Sequence, residues 1–399
     1  GIIARCFSQP PTGCFRMLLS RSNSIFVLLL SLFLSAPSLA ALPVPPPPDL
    51  GASSYILIDA KTGQAIAADA PDLPVEPASL TKLMTAYVVF QALGADQIRL
   101  DDMVTISEAA RAAGDAGSDM FANLGSQVSV ENLLQGMIVQ SGNDASVALA
   151  EHVAGSESVF TGLMNAYADE LGMRSSNFVN SHGLPADNHI TSARDMAILA
   201  RAIITEFPDY YRWYGQQEFT WNGITQPNRN GLLKRDKSVD GMKTGYTEAA
   251  GYCLVSSAAR DDMRLVSAVM GTSSARARET GSQALLNYGF RFFESRQAYA
   301  ANSKVDSERV WYGAENEVEI GVAEALWVTV PRGRYESLVP SITLPGRLEA
   351  PLTGGDSLGI LKLSLDGEEI ARAPLIVLDT VERGGFFKRM GDSVRLWFE

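Results

Sequence analysis

The sequence predicts a mixed α/β (α+β) domain, followed by a small all-β domain and a C-terminal amphipathic helix. Three observations carry this expectation. Helical apolar spacing recurs between Ser79 and Ile203, hairpin and strand signals take over from Phe219, and beyond Arg296 short apolar runs alternate with turn residues. The 399 residues are about two to three domains' worth; 46% are hydrophobic and 20% charged, which excludes a disordered or collagen-like chain. A net charge of −12 argues against nucleic acid as a partner, because phosphate neutralisation needs a basic face. With three His, three Cys and neither HExxH nor paired CxxC, a zinc hydrolase is a poor expectation.

In chain order, a basic stretch from Arg16 to Arg21 precedes the apolar core 25–34 and the small residues Ser38-Leu39-Ala40. This is the layout of a secretory signal peptide over residues 1–40, with 1–16 expected to precede a start at Met17. Its core is too short to span a bilayer. Cleavage after Ala40 removes Arg5, Arg16 and Arg21 and no acid, taking the charge from −12 to −15. It also removes Cys6 and Cys14, leaving Cys253 as a small buried hydrophobe and no internal disulfide. Residues 41–50 are a Pro-rich linker, extended through 43–48.

The first domain is expected over 51–297. Residues 55–58 and 65–67 flank a Lys-Thr-Gly turn as an opening hairpin. Residues 79–93 form a helix with Leu80, Leu83, Met84, Tyr87, Val88 and Gln91 on one side. Helical runs over 130–139 and 144–153 enclose the polar break Ser141-Gly142-Asn143, and 192–204 is a helix with Ser192 as its cap. Asn222-Gly223 marks a hairpin, and 251–257 and 265–270 read as strands. The all-β domain is expected over 298–380, with Asp366-Gly367 as a hairpin turn. In 381–399, Phe386, Phe387, Met390, Val394, Trp397 and Phe398 share an arc of about 120°, opposite Lys388, Arg389, Asp392 and Arg395. Such a helix is expected to lie in a membrane interface; the competing expectation is a helix docked on the β domain.

Several motifs offer a nucleophile. Gly355-Asp356-Ser357-Leu358-Gly359 has the letters of a nucleophile elbow, but it sits among strand signals with no His after it, so it reads as a loop coincidence. Ser79-Leu80-Thr81-Lys82 is the single Ser-x-x-Lys, and at a helix start it puts both side chains on one face a turn apart. A hydroxyl needs a base, and Lys serves only when neutral, which burial and a second cation would promote. Lys243-Thr244-Gly245 on an apparent strand supplies that cation; Lys61-Thr62-Gly63 is its decoy. Ser-x-Asn occurs as Ser141-Gly142-Asn143 and as Ser175-Ser176-Asn177. The order Ser-x-x-Lys, Ser-x-Asn, Lys-Thr-Gly excludes Lys61 but leaves both Ser-x-Asn candidates, with Ser141 preferred for its place at a tight break. His182 is expected to be a hydrogen-bonded structural residue, while His152 and His189 show no partner pattern.

These motifs, with 77–85, 140–145, 180–184, 228–233 and 240–247, strongly resemble the low-molecular-mass penicillin-binding proteins, the serine D-alanyl-D-alanine carboxypeptidases of peptidoglycan metabolism. The resemblance covers residues 50–399 and selects Ser141 and Asn143. It implies a β-lactamase/transpeptidase-like domain, an antiparallel sheet flanked by helices. It implies that Ser79 attacks the penultimate D-Ala carbonyl, that Lys82 takes its proton, and that Ser141 and Lys243 relay it to the departing D-Ala. Asn143 would orient substrate and Lys82, and the N–H groups of Ser79 and Tyr246 match the oxyanion-hole positions. Thr244, Gly245, Tyr246 and Arg278 fall on substrate-binding positions, Thr244 and Arg278 for the terminal carboxylate. The plainer expectation for Arg278 is a solvated charge. Some relatives carry His where Tyr246 stands.

The implied partners are a peptidoglycan pentapeptide substrate, β-lactams as covalent inhibitors and a membrane surface, with no cofactor and no metal. The implied location is periplasmic, peripheral on the outer face of the cytoplasmic membrane. A class A β-lactamase is disfavoured because no E-x-x-L-N lies between Ser141 and Lys243. A DD-endopeptidase and a catalytically silent peptidoglycan- or membrane-binding module remain as alternatives.

Overall fold

The computed structural model describes residues 3–6 and 44–398, so almost all of the expected signal peptide lies outside the described residues. The chain divides into two compact units, one over Pro46–Ser295 and the other from Arg296 onward together with the N-terminal segment.

The first unit is built on a five-stranded sheet of β1 (Ser54–Asp59), β2 (Ala65–Asp69), β3 (Val239–Thr247), β4 (Gly251–Arg260) and β5 (Met263–Thr272). The order is β2-β1-β5-β4-β3 and every pairing is antiparallel, in line with the expected fold class. Alternate residues serve opposite faces. Ile56, Ile58, Val266 and Ala268 join the main core with α1 (Thr81–Gly94) and α6 (Ala193–Glu206), after the intervening helices α2 (Glu108–Asp115), α3 (Val130–Gln135), α4 (Asn143–Ala154) and α5 (Glu157–Glu170). Leu57 and Leu265 instead meet α7 (Ala275–Phe292), so close that a Cβ on Gly289 would lie 2.8 and 2.5 Å from them. The helix can seat there because position 289 has no side chain.

The expected helix over 79–93 exists, but its expected one-sided burial does not. From Thr81 to Phe90 every side chain of α1 is buried, because helices surround it on all sides. Ser107, Ser129, Ser156, Ser192 and Ser274 each cap a helix by accepting the N–H three residues on, Ser192 from Asp195 at 3.2 Å. The Asn222-Gly223 turn has φ of 48° and 74°, and Asp366-Gly367 has 53° and 88°, the left-handed pair that a two-residue hairpin requires.

The second unit is mainly one antiparallel sheet, in the order Val339–Leu344, Ser357–Leu365, Glu368–Val377, Glu317–Val322, Ser303–Trp311. Ile3–Cys6 pairs with Val339–Leu344. Val310, Ile320, Val330, Leu361, Leu375 and Val377 fill the core. Ser357 begins a strand and is no nucleophile elbow.

The terminal helix α8 (Phe386–Leu396) docks through its polar side. Buried Asp392 accepts from Tyr312 N at 2.9 Å and from Lys388 Nζ at 2.9 Å, while Phe386, Phe387, Met390, Val394, Trp397 and Phe398 are exposed. Among the described residues no helix is long and apolar enough to cross a membrane.

Candidate active site

Ser79 lies in the 3-10 turn Ala78–Leu80 that leads into α1, half-buried at the cleft wall. One turn on, Lys82 is 1% exposed, and its Nζ meets Ser79 Oγ at 3.2 Å, Asn143 Oδ1 at 2.8 Å and the His182 carbonyl oxygen. Those three acceptors match the three donors of an ammonium. Burial is the larger influence and pushes the Lys82 pKa down from 10.5 to about 7; Asp144 opposes the shift and Arg229 adds to it.

Ser141 closes the 136–140 turn of π type with φ 70° and ψ 31°, a left-handed conformation that is costly for serine and turns the chain into α4. Its Oγ accepts from Lys243 Nζ at 2.9 Å, and Asn143 opens α4. On β3, Lys243 is also buried; burial first, then Lys82, Arg229 and Arg278, holds its pKa well below the usual lysine value. A single cleft therefore gathers Ser79, Ser118, Ser141, Arg229, Thr244, Gly245, Tyr246, Tyr252 and Arg278 along its walls. None of these lining residues is a carboxylate, so the cleft is suited to an anionic ligand.

Arg278, on α7, is 8% exposed rather than solvated, and its Nη1 donates to Gly245 O at 3.1 Å. Its buried Nε has no partner among the described residues. Tyr246 stands at the mouth, half exposed, with its ring 4.4 Å from that of Tyr252.

The decoys are structural. Ser175 donates its backbone N–H to Asp195 at 2.8 Å and Asn177 Nδ2 donates to Asn188 O at 2.8 Å, and Asp59 accepts the backbone N–H groups of Lys61 and Thr62 in the opening turn. Cys253 is fully buried, and burial raises its pKa. His182 is structural as expected, its Nδ1 accepting from Leu184 N at 3.1 Å, and burial pushes its pKa down to about 4. His189, in which sequence showed no pattern, bonds Thr81 Oγ1 at 2.8 Å and accepts from Val179 N at 3.0 Å. Ser118, Arg229 and Tyr252 also escaped the sequence reading as site residues. Arg229 stood inside the stretch 228–233, and its charge in an otherwise neutral run was the available signal. Among the described residues no cluster of His, Cys, Asp and Glu could hold a metal ion.

A fully antiparallel sheet flanked by helices, with a Ser-Lys pair facing a Ser-Lys pair across the cleft, defines the penicillin-recognising serine enzymes. The chain belongs to the D-alanyl-D-alanine carboxypeptidase family, whose model matches residues 42–274; the penicillin-binding protein 5 C-terminal domain matches 293–383. It is 46% identical over 374 residues to the D-alanyl-D-alanine carboxypeptidase DacC of Escherichia coli, covering 92% of this chain and 94% of that one. The structure of penicillin binding protein 5 from Haemophilus influenzae is similar at a TM-score of 0.81 and 44% identity, over 84% of this chain and 99% of that one. A D-alanyl-D-alanine endopeptidase of Pseudomonas aeruginosa is 32% identical over 247 residues, 57% of this chain and 76% of that one.

Proposed function

We propose that this protein is a serine-type D-Ala-D-Ala carboxypeptidase that removes the terminal D-Ala of peptidoglycan pentapeptides and is acylated by penicillins. The observation that carries it is Lys82 Nζ at 3.2 Å from Ser79 Oγ, a base held near neutrality beside a hydroxyl. Neutral Lys82 takes the Ser79 proton as Oγ adds to the penultimate D-Ala carbonyl. The N–H groups of Ser79 and Tyr246 stabilise the oxyanion. Collapse breaks the peptide bond, and the proton passes through Ser141 and Lys243 to the departing D-Ala nitrogen. Asn143, bonded to Lys82, holds the lysine and orients the substrate amide. Thr244 and Arg278, beside Gly245, receive the terminal carboxylate, with Arg229 as a further cation facing it. Water then attacks the acyl-enzyme, and free Ser79 and a shortened peptide result.

Terminal cleavage is favoured over endopeptidase action because the carboxypeptidase relative aligns through the second unit, while the endopeptidase alignment spans 57% of the chain. The exposed apolar arc of α8 supports attachment to the outer face of the cytoplasmic membrane of an exported, periplasmic protein. Incubating the protein with pentapeptide and with cross-linked dimer, and reading products by mass, tests the activity. Release of D-Ala from pentapeptide is expected; cleavage of the dimer alone would overturn it.

A further inference from the structure

Asn143 is followed by an aspartate that the proposed reaction does not use. Asp144 is fully buried, and its carboxylate accepts from the backbone N–H of Met120 and of Ala122, each at 3.1 Å. The same segment is tied to the neighbouring residue, since Ser118 O accepts the Asn143 N–H at 2.7 Å. Met120 is fitted between two glycines: a Cβ on Gly136 would lie 2.6 Å from its Sδ, and one on Gly142 3.1 Å from its N. Ser118 lines the catalytic cleft, and Asn143 Oδ1 accepts from Lys82 Nζ at 2.8 Å. Asp144 thus ties one wall of the cleft to the turn that holds the base.

The charged groups around it come from three elements. Arg111 of α2 brings Nη1 to 4.0 Å and holds Asp119 and Asp115 with Nη2; Asp119 belongs to the tied segment; Lys82 of α1 is reached through Asn143. A buried carboxylate beside a second carboxylate is costly, and two backbone N–H groups with Arg111 offset that cost.

We propose that Asp144 is a positioning residue for acylation, fixing the 118–122 wall against the Ser-x-Asn turn and supplying a buried negative charge that acts on Lys82. This rests on the Ser79–Lys82 chemistry proposed above. Burial, with Asp119, pushes the Asp144 pKa up to about 6, so it is mostly ionised where Lys82 titrates, about 7. Removing its charge destabilises the Lys82 ammonium, and Lys82 then releases its proton at lower pH.

The test is the pH profile of acylation by fluorescent penicillin, in the full-length wild type and in Asp144→Asn. The carboxamide keeps the volume and can accept from one of the two N–H groups. The acid limb is expected to move down by roughly half a pH unit to one unit. The maximal rate is expected to fall about tenfold as the wall and Asn143 lose their fixed places. A folded variant whose acid limb stays where the wild type has it would overturn the proposal, because a purely structural aspartate leaves that limb alone. Should Asp144→Asn not fold, the reciprocal measurement decides. By linkage, the carbon-13 carboxyl signal of Asp144 must titrate at higher pH in Lys82→Gln than in the wild type, and equal midpoints would overturn the proposal. A wild type that penicillin never labels would instead refute the underlying acylation chemistry.

Discussion

Lys243 Nζ donates to Ser141 Oγ at 2.9 Å, across 102 residues of chain. With Lys82 beside Ser79, this makes two serine–lysine pairs in one cleft; burial lowers the proton affinity of both lysines, and Lys82 lowers that of Lys243 further. The arrangement keeps a base available at neutral pH without a histidine. It follows that Ser79, Lys82 and the cations can be probed separately.

Ser79→Ala should abolish covalent labelling by penicillin and leave the unfolding transition within about 0.5 kcal/mol of the wild type, since a half-buried hydroxyl at the cleft wall carries little packing. Gel fluorescence and denaturant unfolding check both halves. Persistent labelling, or labelling at Ser357, would disprove the assignment.

Acylation should rise with pH through an apparent pKa of about 7, because the proton-accepting form of Lys82 is the neutral one and its pKa is depressed from 10.5. Below that point the rate should drop about tenfold per pH unit. Lys82→Arg should be inactive throughout, since guanidinium keeps its proton. Stopped-flow acylation between pH 5 and 9 reads this out, and near-normal rates in Lys82→Arg would assign the proton to another group.

Arg278→Gln should raise KM for a D-Ala-D-Ala peptide by roughly tenfold to a hundredfold, the range for losing a hydrogen bond to a charged group. The effect should shrink on a substrate whose terminal carboxylate is an amide. Arg229→Gln should do the same more weakly, because Arg229 is exposed to solvent. Equal losses on both substrates would mean that the arginines support the fold rather than the carboxylate.

Gly183→Ala should destabilise the protein by roughly 2–4 kcal/mol in denaturant unfolding. Gly183 has φ of 92°, and a Cβ there would fall 1.9 Å from Ala78 O, against the turn that presents Ser79. A neutral substitution would show that this loop moves freely beside the nucleophile.

Truncation before Gly384 should leave a soluble, active enzyme that no longer co-sediments with anionic vesicles. The full-length protein should bind them, less so at high salt, and Trp397→Glu should weaken binding by placing a charge in the exposed arc. Equal binding by all three would reduce α8 to a packing element.

The sequence by itself determined the elements whose signals are local. Two-residue turns such as Asn222-Gly223 need backbone that few residues adopt, and the serine caps satisfy N–H groups within the same turn, so both are written in adjacent letters. The Ser79–Lys82 pair was legible for the same reason, being one helical turn. Even the polar side of α8 was visible, although that Asp392 is buried against Tyr312 N was not. Resemblance to a family, not spacing, had to choose Ser141 over Ser175, whose backbone N–H turned out to serve Asp195. Tertiary structure alone decided that α1 is buried on every side, that Arg278 is buried beside Gly245 rather than solvated, and that Asp144, Arg229, Ser118 and Tyr252 belong near the chemistry. Those facts depend on which distant segments exclude water from a side chain and which charges share the resulting low-dielectric space. Neither quantity is encoded in any short window of sequence, because both arise only when the sheet and helices close over the site.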